Sequence, residues 1–79
     1  IRGIKEIIEY AGLTTVPMMP AFIRGVINLR GAVVPVIDLS VRFGRAPTAL
    51  TRRTCIVIME AGRDDERQDI GVVVDAVSE

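Results

Sequence analysis

The chain has 79 residues, about half apolar and a quarter charged, with ten basic and ten acidic side chains and a formal net charge of zero. That is the composition of one globular domain, not of a disordered chain, and it carries no overall positive footprint for nucleic acid. Histidine is absent and Cys55 is the one cysteine, which excludes His-based acid–base chemistry, His or Cys zinc sites and an internal disulfide.

Residues 1–10, IRGIKEIIEY, place Ile1, Ile4, Ile7 and Ile8 at helical spacing, with Arg2, Lys5, Glu6 and Glu9 on the other face. The pattern predicts a short amphipathic helix with Gly12 as its C-cap, docked on the rest of the chain. Residues 13–20, LTTVPMMP, read as an extended connector fixed by Pro17 and Pro20. The PxxP spacing also allows a polyproline ligand, but Met18 and Met19 fit better as gap-fillers in a core. Residues 22–29 and 33–39 predict two strands joined at Arg30, Gly31 and Ala32, with Gly31 supplying the positive φ of a tight turn. Gly25 inside the first strand predicts a bulge or a close backbone approach, and Pro35 predicts that the second strand is unpaired on at least one side. Asp38 is placed to cap a helical turn over residues 39–43, ended by Gly44.

Residues 45–53 read as a loop, and Arg42, Arg45, Arg52 and Arg53 place four cations there with no acid between them. A third strand is expected over 54–60, a solvated charged loop over 62–69 and a fourth strand over 70–77. Eleven Val and ten Ile against four Leu favour strands throughout. The whole predicts a mainly β fold of small SH3- or OB-like antiparallel barrel type, with a short N-terminal helix and no parallel βαβ rhythm. A chain of this size buries only about 60% of its unfolded surface. It starts at Ile1 and stops at Glu79 just after an apolar run, so a piece of a longer domain is expected.

Catalysis has little to stand on. Cys55 has no histidine partner and reads as a buried small hydrophobe. Asp38 and Asp75 lie at strand ends, where cap or turn roles fit better than an acid–base pair. Asp64, Asp65 and Glu66 lack the alternation of a calcium loop. No apolar run approaches the roughly 20 residues of a membrane helix, and an unpaired thiol fits a reducing compartment. The arginine loop lacks interleaved aromatics, which argues against a single-strand nucleic-acid barrel. Protein recognition remains, with Arg30 at a hairpin tip as a partner anchor or a solvated turn charge, and Asn28 facing either the turn or a partner.

The segment MPAFIRGVINLRGAVVPVIDLSVRFG resembles the central signature of CheW-like domains, with Gly25, Val26, Asn28, Leu29, Arg30 and Gly31 followed by Pro35, Asp38 and Leu39. Ile4 to Ile8 resemble the family's short helix with its Glu, here Glu6, and IGVVVDAV resembles its later strand, with Gly71, Asp75 and Val77. The resemblance implies two small five-stranded barrels side by side, of which these 79 residues are the central part. Without the flanking strands neither barrel is expected to close, so support from further chain or a strand-exchanged homo-oligomer is expected. It also implies a non-enzymatic cytoplasmic adaptor, without cofactor or metal, that joins methyl-accepting chemoreceptors in membrane arrays to the chemotaxis histidine kinase. The same domain as the end of such a kinase, or fused to a receiver domain, is the second expectation. By position the resemblance implies Ile4, Glu6, Gly25, Asn28, Leu29 and Arg30 as partner-binding, and also Val74, Asp75 and Val77.

Overall fold

A computed structural model describes residues 3–75. Five strands form one sheet: β1 (Ile4–Glu9), β2 (Ile23–Leu29), β3 (Ala32–Ile37), β4 (Cys55–Ala61) and β5 (Gln68–Val74), in the order β1-β4-β5-β3-β2. A helical turn, α1 (Leu39–Arg42), follows β3, and a 3-10 turn (Asp64–Glu66) lies in the β4–β5 loop.

The first ten residues depart from expectation. They form β1, antiparallel to β4, with a register irregularity between Ile4 and Glu6. Isoleucines at 4, 7 and 8 satisfy a helical stripe, yet their branched side chains favour strands, and a strand partner far along the chain decides between the two. Along β1, Glu6, Ile8 and Tyr10 are half-buried while Ile7 and Glu9 are exposed, the two-residue alternation of a sheet. Ile1 and Arg2 lie outside the described residues, as does the end of the fourth predicted strand with Val77.

β2 and β3 form the expected hairpin. Arg30 and Gly31 both take positive φ, 52° and 87°, as a two-residue type I′ turn requires. Asn28 settles on the turn: its Oδ1 accepts the Gly31 N–H at 2.9 Å. The ladder shifts register between Ile23 and Gly25. A Cβ on Gly25 would come within 2.6 Å of the Thr14 carbonyl oxygen, so both readings of this glycine hold. β3 lies inside the sheet, but its pairing to β5 covers only Val36 and Ile37, just past Pro35. That pairing is parallel, against the purely antiparallel expectation. The long β3–α1–β4 excursion carries the chain away before β5 returns beside β3.

The sheet also curls until its ends meet. Just after β1, Thr14 bridges Val26 of β2 with two main-chain bonds, N–H to O at 3.0 and 2.9 Å. Inside lie Val34, Val36, Ile56, Ile58 and Val73, with Ile8, Tyr10, Leu13, Ile27 and Leu29 packed against them. Against the expectation that neither barrel closes, the outer strands of this one are joined within a single chain, at the one Thr14–Val26 bridge. Met18 and Met19 are also not core fillers, since Met18 is fully exposed and Met19 is exposed as well. Met18 occupies a positive-φ turn position after Pro17, and a tight turn turns its side chain outward.

Candidate functional site: an ion-paired hairpin tip

In the inward-facing positions, the apolar pairs of β4 and β5 give way to charge at one end. Glu60 stands opposite Asp69, one inward step beyond Ile58 and Gly71. β1 adds Lys5 and Glu6 at the same end, and the β2–β3 turn reaches over to it. Arg30 donates from its guanidinium to the Glu6 carboxylate, residues 24 apart in sequence. Lys5 Nζ lies 2.9 Å from Asp69 Oδ1, and Arg67 Nη1 lies 3.5 Å from Glu60 Oε1. The result is a row of three ion pairs across one mouth of the barrel. Hydrogen bonding to Glu6 and its negative charge push the Arg30 guanidinium up, and the same two effects from Asp69 push the Lys5 ammonium up.

Arg30 is held by this pair and by its turn while its side chain stays 71% exposed. Leu29 is half-buried and packs on the core, Asn28 braces the turn, and Gly25 admits Thr14. These three hold the tip in place. Ile4 is 58% exposed and pairs with Met59 on the outer face of the sheet. Val74 is half-buried at the far end of β5, level with Cys55 and Glu9, and Asp75 just beyond it is exposed. So Glu6 and Arg30 come together, with Asn28 and Leu29 in support, whereas Val74 and Asp75 occupy the other end.

The sequence reading missed the weight of Asp38. It is fully buried and caps α1 by accepting the Ser40 N–H at 3.0 Å. It also accepts from Arg24 Nη1 at 2.7 Å, Thr48 N–H at 2.9 Å and Thr48 Oγ1 at 2.8 Å. Burial alone pushes this carboxyl up, but the Thr48 donors, Arg24 and the Ser40 N–H outweigh it and hold it below the ordinary carboxylate range. This hub ties β2, α1 and the following loop together. Its only sequence signal was the Asp–Leu–Ser capping pattern. Cys55 is half-buried, not buried, with its Sγ 3.6 Å from the Arg53 carbonyl oxygen. Arg42 lies 5.5 Å over the Phe22 ring.

A second surface lies on the outside of the sheet. Val57 and Val72 are buried there, and an apolar hollow of about 270 Å³ is lined by Phe22, Ile37, Leu39, Met59, Ile70 and Val72. Exposed Ile4 and Ile7 on β1 extend this face. Among the described residues no group of His, Cys, Asp or Glu has the arrangement of a metal site, and no helix is long and apolar enough to cross a membrane.

The curled five-stranded sheet joined at one bridge, its type I′ hairpin and the row of paired charges define a small β-barrel domain. The CheW-like domain model matches residues 1–79, and the chain belongs to that family. It is 42% identical over its whole length to a probable chemotaxis protein CheW of Rhizobium etli, covering 48% of that protein. It is 37% identical to the chemotaxis protein CheW of Klebsiella aerogenes, again over its whole length and covering 45% of that protein. The crystal structure of a scaffolding protein, TtCheW from Thermoanaerobacter tengcongensis, superposes with a TM-score of 0.81 at 40% identity. That match covers 96% of this chain and 49% of the other. The chain thus spans about half the length of the relatives it matches.

Proposed function

We propose that this barrel is part of a chemotaxis coupling adaptor, which joins chemoreceptors to the chemotaxis histidine kinase through protein contacts and carries out no chemistry of its own. Family membership supports the reading, as do the names of the relatives, chemotaxis protein CheW and a CheW scaffolding protein. The observation that carries it is the hairpin tip, where Arg30 stands exposed on a type I′ turn and pairs with Glu6. In this reading Glu6 and Arg30, with Asn28 and Leu29 behind them, form one partner surface. Ile4 belongs to the outer apolar face, on which the second barrel of the family fold packs. Val74, Asp75 and Val77 serve a separate contact at the far end of β5. The protein works in the cytoplasm at the receptor tips.

Receptor-coupled kinase assays on the full-length protein test this. Arg30→Ala is expected to weaken receptor or kinase binding while the melting temperature stays close to that of the parent. Unchanged binding to both partners would remove Arg30 from the partner surface.

A further inference from the structure

The barrel has one open seam. β1 and β2 are the outer strands of the sheet, and Thr14 joins them at a single bridge. The Tyr10 N–H donates to the Thr54 carbonyl, and main-chain direction alternates along an antiparallel strand. Glu6 and Ile8 therefore turn their N–H and C=O groups toward β4, while Ile7 and Glu9 turn theirs to the seam. On β2, Val26 both donates to and accepts from Thr14, so Asn28, two residues on, points its N–H and C=O to the same side. One more step of that ladder would set Gly12 opposite Asn28. Instead Gly12 takes φ 104° and the chain leaves the ladder.

Between the two edges lies a groove of about 470 Å³, lined by Ile8, Glu9, Gly12, Leu13, Ile27 and Asn28. Its size falls within the roughly 300–1,000 Å³ of sites that take small ligands or short segments. Its floor is apolar and, among the described residues, its rim carries main-chain donors and acceptors without a strand partner, the combination that binds an extended chain by strand addition. Among the described residues no cation lies within ion-pair distance of the exposed Glu9 at the rim.

We propose that this seam takes an extended segment of a partner protein as an added strand, antiparallel to β2. Its main chain pairs with Asn28 on one side and with Ile7 and Glu9 on the other. Alternate side chains of that segment are apolar, to meet Ile8, Leu13 and Ile27. Those between include a Lys or Arg beside Glu9. The inference stands on main-chain groups and on the groove.

The test is amide hydrogen exchange read by NMR on the full-length protein, titrated with a peptide of about six alternating Val and Lys residues, a common strand length. Binding that slows exchange at Asn28 and Glu9 by about tenfold or more, and that is lost when alternate peptide nitrogens are methylated, is the expected result. No binding at millimolar peptide would overturn the proposal. So would equal binding of the methylated peptide, or protection confined to other amides. Asn28 already protected in the free full-length protein would also overturn it, since the seam would then be filled by the protein's own chain.

Discussion

Asp38 shows how one buried carboxylate can organise a loop. Four hydrogen bonds from three residues surround a side chain with no exposure. Removing one partner of such a pair leaves the other poorly compensated, so Asp38→Ala is expected to cost about 3 kcal/mol, read by denaturant unfolding. Arg24 keeps partial exposure, which places the cost at the lower end of the range for buried pairs. The pH dependence follows from the direction of the shift. The folded-state value lies below the unfolded one, so the contribution is complete above the ordinary carboxylate range and is lost as pH falls through the folded value. Asp38→Asn should flatten the acid limb of the stability profile. An unchanged acid limb would show that other carboxylates set it. Lys5 runs the opposite way: its raised value means that its contribution is complete below the ordinary lysine value and fades as pH rises through the folded one. Asp38 was legible in the sequence as a helix cap because the cap is local. Its partners Arg24 and Thr48 are 14 and 10 residues away, and nothing in the local pattern marks them.

At the scale of elements, the hairpin and β1 make a contrast. The β2–β3 turn can be read directly, since Gly31 fits the backbone that a two-residue turn demands. What the reading lacked is that Arg30 also takes positive φ, a conformation that a branched side chain resists. Arg30→Val should therefore lower the melting temperature more than Arg30→Gly, although both remove the ion pair. The local pattern of β1 is ambiguous because isoleucines at 4, 7 and 8 suit both a helical stripe and a strand. Pairing with β4, more than 45 residues later in register, decides the matter, and that contact is invisible locally. Gly25 sits where β2 meets the Thr14 segment. Gly25→Ala would drive a methyl into the Thr14 carbonyl and is expected to cost about 1–3 kcal/mol, as other overpacking changes do. Its exchange signature would be loss of protection at Val26 and Thr14, with the β4–β5 ladder kept.

At the largest scale, the described residues form a barrel whose outer strands are joined at one bridge, with charge gathered at one mouth and apolar surface left on its outer face. Single-chain closure predicts that these 79 residues melt cooperatively, at a midpoint independent of protein concentration. A midpoint that climbs with concentration would signal exchange or pairing between copies. The mainly β barrel character was legible from the Val and Ile excess and the spacing of turns. The parallel β3–β5 pairing and the Thr14 closure were not, because both depend on where a long excursion brings the chain back. The role proposed for Arg30 is to serve partners and not the fold. The direct test is a parallel measurement on full-length protein, comparing wild type with Arg30→Ala for affinity to receptor and kinase and for melting temperature. A loss of about tenfold or more in affinity for at least one partner is expected, the effect of a central anchor, with the melting temperature nearly unchanged. Equal affinities for both partners, or a binding loss matched by a large fall in melting temperature, would contradict it.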